Sequence, residues 1–132
     1  MPAADSPVVK PRPKYLNLVA IRLPLPALVS ILHRLSGAFM FLVGIPLLLW
    51  FLQRSLASAQ GFEAAMRPLT TPLGKLILLA LAWSYLFHLL AGLRHLVLDL
   101  HIGIDLHSAR MSSAAVLVLS VLLALIVAVR LW

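Results

Sequence analysis

The chain has 132 residues, of which 62% are hydrophobic and 11% charged, with a mean hydropathy of +1.03. A soluble domain of this size needs roughly half its residues polar to wet its surface, so lipid must be the solvent for most of this one. The net charge of +7 does not make it a nucleic-acid binder: Lys10, Arg12, Lys14 and Arg22 cluster ahead of the first long apolar run, and no basic face with interleaved aromatics occurs. With no cysteine, the chain carries no disulfide, no thiolate nucleophile and no iron–sulfur cluster of its own. It also lacks a glycine-rich phosphate fingerprint, which argues against a nucleotide or flavin site.

Residues 1–26 hold Pro2, Pro7, Pro11, Pro13, Pro24 and Pro26, too dense a set for a long regular helix. The apolar stretch that follows starts too late and runs too long for a signal peptide. The segment is expected to be a basic, extended or partly amphipathic arm on the cytoplasmic face. The remainder, 27–132, is expected to form one all-α domain, an integral membrane bundle of three transmembrane helices over 27–54, 72–98 and 110–131. Within these, Leu35 to Gln53, Leu76 to Leu93 and Met111 to Val129 carry no formal charge. Each is close to the roughly 20 residues that cross about 30 Å of hydrocarbon at 1.5 Å per residue. Because lipid offers no hydrogen bonds, each must be helical. Pro26 suits the first position of helix one, and Pro46 should kink that helix.

The basic residues set the expected topology. With the N-terminus inside a bacterial cytoplasmic membrane, the inner side holds Lys10, Arg12, Lys14, Arg22, Arg34, Arg94 and Arg110, against Arg54, Arg67, Lys75 and Arg130 outside. Trp50 and Trp132 then fall near the outer interface. The third helix has nothing ionisable between Arg110 and Arg130 and reads as packing and anchoring.

Ionisable groups retained in membrane helices are costly, so they mark chemistry. His88, Gly92, His95 and Asp99 stand at i, i+4, i+7 and i+11, one stripe of the second helix. A neutral imidazole with a glycine one turn away suits a b-type haem: the ring ligates iron and the missing Cβ clears the porphyrin face. Arg94 and His95 follow about 9–10 Å along the axis, a suitable reach for pairing with haem propionates. The alternative is a core histidine beside a small-residue helix contact. Ser30, His33, Arg34 and Gly37, at i, i+3, i+4 and i+7, share a face of the first helix. A hydroxyl and a guanidinium at the membrane edge can hydrogen-bond a quinone carbonyl. Spacing alone favours the plainer alternative, in which Arg34 snorkels to lipid phosphate and Ser30 packs. His101, Asp105 and His107 lack a metal-ligand template and read as a solvated loop.

Together these motifs resemble the cytochrome b subunit family of succinate dehydrogenase. The resemblance runs from about residue 12 to the end: Arg12-Pro13 with Leu16-Asn17-Leu18, then Ser30-x-x-His33-Arg34-x-Ser36-Gly37, then His88-x-x-x-Gly92-Leu93-Arg94-His95-x-x-x-Asp99. It implies that His88 is an axial ligand of haem b, the other ligand coming from a histidine of a second small membrane-anchor subunit. It further implies that Ser30 and Arg34 contribute to a ubiquinone site, and that His33 and Arg34 lie near the propionates. The implied partners are that second anchor subunit, an iron–sulfur subunit, a flavoprotein subunit and the lipid bilayer. Leu98, where the family often has an aromatic or Met, and His101, in place of a small residue, depart from the pattern. The alternatives are the anchor of a quinol:fumarate reductase or a haem-free helical assembly subunit.

Overall fold

Pro24 opens the first helix: extended at φ −67° and ψ 154°, it caps α1 (Leu25–Phe39), and Pro26 sits in the first turn, where its missing N–H costs nothing. The computed structural model describes residues 22–132. Most of the expected arm, with the Arg12-Pro13 and Leu16-Asn17-Leu18 elements, lies outside the described residues. The helix begins two residues ahead of the expected position 27.

Pro46 has no N–H to offer and its ring crowds the carbonyl of Leu42, four residues back. The chain relieves both problems with one π-helical turn, Met40–Gly44, in which the N–H of Ile45 reaches back to the Met40 carbonyl. α2 (Ile45–Ala57) then continues the same rod, so the first spanning helix runs Leu25–Ala57. The expected kink is thus a single widened turn just before the proline.

Ser58, fully extended, ends that rod and caps α3 (Ala59–Thr70), its hydroxyl accepting the Gly61 N–H at 3.0 Å. This short helix has too few apolar residues in a row to show as a spanning segment. It folds back on α2, with Phe62 edge-on to Phe51 at 6.1 Å. Thr71 repeats the device for α4 (Pro72–Asp99), accepting the Gly74 N–H at 3.1 Å. A Cβ at position 74 would run into the backbone carbonyl of Pro68, so this junction closes only on glycine.

α4 ends in a Schellman turn: His101 N–H donates to the Leu98 carbonyl and Ile102 N–H to that of Val97. His101 occupies the left-handed position, at φ 61°, which a residue bearing a Cβ adopts at a cost. The small residue that the resemblance leads one to expect at this place would have a geometric reason. Asp105 caps α5 (Leu106–Leu131), accepting the Ser108 N–H at 3.0 Å, and the helix starts four residues before the expected 110. The Ser108 hydroxyl and then its amide hold the Asp105 carboxyl below the usual carboxylate range.

Among the described residues every regular element is a helix, with no strand, and three helices are long and apolar enough to cross a membrane. α1, α4 and α5 meet around Val29, Phe87, Ala91 and Val116, flanked by Leu32, Trp83, Leu90 and Leu117. α5 runs antiparallel to α4: Arg94 reaches Ser112 at one end, and Lys75 lies 5.3 Å above the Trp132 ring at the other. Polar side chains are buried among the helices as readily as apolar ones. Ser36, Ser84, Arg94, Ser113 and Ser120 are buried, while leucines such as Leu42, Leu49, Leu96 and Leu125 are exposed. That inverts the usual distribution and is what lipid solvation requires, since small hydroxyl residues let helices approach closely. The Ser113 and Ser120 hydroxyls return to backbone carbonyls of α5, those of Ala109 and Leu117, at 2.7 and 2.9 Å.

The strained helix end gives a clear expectation. His101→Gly removes the left-handed penalty and should raise stability by up to about 1 kcal/mol, read as a higher unfolding midpoint in detergent.

Candidate functional site

The antiparallel arrangement brings the start of α1, the end of α4 and the start of α5 to one membrane face, and the two sequence constellations meet there. His33 of α1 stacks on His88 of α4, with ring centroids 4.0 Å apart and planes inclined by 17°. His33 also lies against His95, at 5.2 Å and 54°. The three imidazoles line an open groove of about 440 Å³ together with Gly92, Leu89, Leu93 and Leu96.

His88 is held from behind by α1. Its Nδ1 lies 2.9 Å from the backbone carbonyl oxygen of His33 and 3.1 Å from the Ser36 hydroxyl. A carbonyl oxygen has no proton to give, so Nδ1 carries the hydrogen and donates it. In the neutral ring this leaves Nε2 as the nitrogen with the lone pair. The ring can lie so close to α1 because residue 37 is glycine: a Cβ there would fall 2.8 Å from His88 Cε1. Gly92, expected to clear a cofactor face, does line the groove; a Cβ on it would make ordinary contact with His33 Nε2, at 3.5 Å.

The remaining expected residues divide. Ser30 is half-buried and Arg34 exposed, one turn apart at the same end of α1 and next to His33 in the helix. Asp99 is exposed at the end of the histidine stripe. Arg94, expected to turn with His95 toward the propionates, is directed elsewhere. It is 8% exposed, with Nε donating to the Ser112 hydroxyl at 2.9 Å and Nη2 to the Ala109 carbonyl at 3.2 Å, both on α5. The cause is angular: Arg94 lies about 120° from His88 around the helix at 100° per residue, so the two cannot share a face. His101 and His107 are exposed, and among the described residues no three His, Asp or Glu are grouped to hold a metal ion.

Spacing alone kept the two helices' motifs apart, only the resemblance joined them, and Ser36 was quoted in its motif without a role. The signal for it was present: Ser36 follows His33 by three residues, the spacing that lays its hydroxyl over the His33 carbonyl, at 2.9 Å. It also read the third helix as plain packing, whereas α5 supplies the acceptors for the buried guanidinium.

Fold and groove define an integral membrane protein of three spanning helices, with its polar groups gathered inside and its histidines near one face. Residues 9–127 match the family described as succinate dehydrogenase/fumarate reductase transmembrane subunit. The chain is similar to the succinate dehydrogenase cytochrome b556 subunit of Paracoccus denitrificans, 38% identical over 115 residues that cover 87% of this chain and 88% of the relative. It is similar too to the cytochrome b556 subunit of Coxiella burnetii, 36% identical over 123 residues, 92% of this chain and 97% of the relative. That of Rickettsia prowazekii is 29% identical over 115 residues, 87% and 89% of the two chains. The chain belongs to the succinate dehydrogenase/fumarate reductase transmembrane subunit family, and the resemblance read from its two motifs holds.

The Arg94 clamp can be tested directly. Arg94→Met keeps the length of the stem but removes charge-assisted hydrogen bonds to α5, and should lower stability by about 1.5–3 kcal/mol. Thermal unfolding in detergent measures it, and an unchanged midpoint would mean that the clamp contributes nothing.

Proposed function

We propose that this chain is the membrane anchor through which succinate dehydrogenase binds haem b and reduces ubiquinone, sharing the haem with a second small anchor subunit. The observation that carries the reading is His88: an imidazole whose Nδ1–H is engaged by α1, leaving Nε2 as a ligand atom, in a groove lined by two further histidines. A metal-bound histidine is typically oriented by a hydrogen bond from its other nitrogen, most simply to a backbone carbonyl. The apolar walls from Leu89, Leu93 and Leu96 suit a porphyrin, and the name cytochrome b556 borne by the relatives agrees with a b-type group.

The residues present fit such a group. His88 would ligate the iron, and His33, His95 and Arg34 would meet the propionates at the membrane edge. Arg94 serves that arrangement indirectly, by fixing α4 against α5. When bound, the haem supplies a one-electron redox centre in a low-dielectric setting. Ser30 and Arg34 form the quinone end of the proposal. A quinone that accepts two electrons also takes up two protons, so its carbonyl needs donors close to water. A half-buried hydroxyl and an exposed guanidinium one turn apart meet that requirement.

The charge count supports a cytoplasmic side for these residues, with the N-terminus inside. An iron–sulfur subunit delivering electrons, and a flavoprotein subunit oxidising succinate, would dock on that face. Whether the complex runs toward quinone or, as in a quinol:fumarate reductase, away from it follows from the quinone potential and the partner subunits.

The test is a reduced-minus-oxidised spectrum of the complex purified by a tag on this chain. The native complex should show a sharp b-type α band, and His88→Ala should lose or shift it while the flavoprotein still copurifies. An intact, succinate-oxidising complex with no such band would sink the haem assignment and leave the anchor role. For the quinone end, Ser30→Ala should raise the KM for ubiquinone about tenfold, the worth of one hydrogen bond. Succinate oxidation by a water-soluble dye should be unaltered in the same preparation.

A further inference from the structure

The serine hydroxyls of the helix interfaces do not all do the same thing. Ser113 and Ser120 bond only to carbonyls of their own helix. Ser36 also returns to its own helix, donating to the His33 carbonyl at 2.9 Å, yet it lies 3.1 Å from Nδ1 of His88, on another helix 52 residues away. With its proton given to the carbonyl, its lone pairs face Nδ1–H. The imidazole hydrogen is therefore shared between two acceptors on a single turn of α1, the His33 carbonyl at 2.9 Å and the Ser36 oxygen. Gly37, next in sequence, makes room for the ring edge, because a Cβ there would fall 2.8 Å from Cε1. Ser36 is 6% exposed, so water cannot readily take its place.

We infer that Ser36 is a positioning residue for His88: it fixes the plane of the imidazole and sets its electron-donor strength toward the haem iron. The inference rests on the proposal that His88 is the axial ligand. The chemistry is direct. An acceptor on Nδ1–H lends the ring imidazolate character, which strengthens donation through Nε2 and favours ferric over ferrous iron. Two acceptors on one rigid turn also narrow the range of ring orientations. Ser36 thus holds the haem potential lower than a lone carbonyl would.

The experiment compares native complex with Ser36→Ala, Ser36→Thr and Ser113→Ala, by redox titration of the haem band and by low-temperature electron paramagnetic resonance of the ferric haem. Ser36→Ala should retain the haem but raise its midpoint potential and broaden or move the low-spin signal. Ser36→Thr, whose hydroxyl can make the same bond to the carbonyl three residues back, should restore the native values. Ser113→Ala, which removes a buried hydroxyl away from the groove, should leave both unchanged. Haem that still depends on His88 but titrates and resonates identically in Ser36→Ala would overturn the inference alone. Haem that survives His88→Ala, or is absent from the native complex, would overturn the ligand assignment beneath it.

Discussion

The site depends on one contact, the seating of the His88 ring against a single turn of α1. The residues that surround it on α1 make that contact possible. Gly37 removes the Cβ that would push the ring away; the His33 carbonyl accepts the hydrogen bond from Nδ1–H; Ser36 donates to that carbonyl and lies against Nδ1. Because these acceptors belong to a helix and the donor to its neighbour, the bond also sets the rotation of α1 against α4. It does so in surroundings where the alternative, an unpaired polar group facing hydrocarbon, would be costly.

A second polar contact does the same work on another side of α4. Arg94 is tied to α5 through Ser112 and the Ala109 carbonyl. α4 is therefore held by two hydrogen-bonded crossings, His88 to α1 and Arg94 to α5, with the Phe87 and Ala91 core packing beside them. In lipid, apolar side chains gain little by facing one another rather than an acyl chain, so such crossings carry much of the specificity of helix placement. The division explains why one motif contains residues with unlike duties: His88 and His95 face the groove, and Arg94 faces the structure that supports it.

Much of this was legible in the sequence, for definite physical reasons. Charge-free runs of membrane length announce spanning helices by a composition that nothing else requires. The i, i+4, i+7 spacing of His88, Gly92 and His95 announces a shared face. What could not be read was how two helices rotate against each other, since periodicity describes one helix at a time. Hence spacing alone groups His33 with Ser30 and Arg34, and only the resemblance brings it near a haem held by His88, on whose ring it stacks; Arg94 is grouped with His95, when its angle carries it to α5. Ser36 was hidden because a serine in a membrane helix has a sufficient purpose in bonding its own backbone. α3 was hidden because its apolar residues are too few to stand out, and its ends depend on two caps, Ser58 and Thr71, that only local geometry identifies.

The inverted distribution of buried and exposed side chains has a consequence for how this chain can be handled. A water-soluble protein stripped of its partners keeps its fold because its solvent rewards the outside it already has. Here the outside is largely leucine and valine, and the inside holds serines and a guanidinium. In water the preferences of the two would be exchanged, and the arrangement that satisfies lipid would be among the least favourable available to the chain. The folded state has no aqueous counterpart to fall back on, so the amphiphile that replaces the bilayer is a component of the native structure rather than a medium for it.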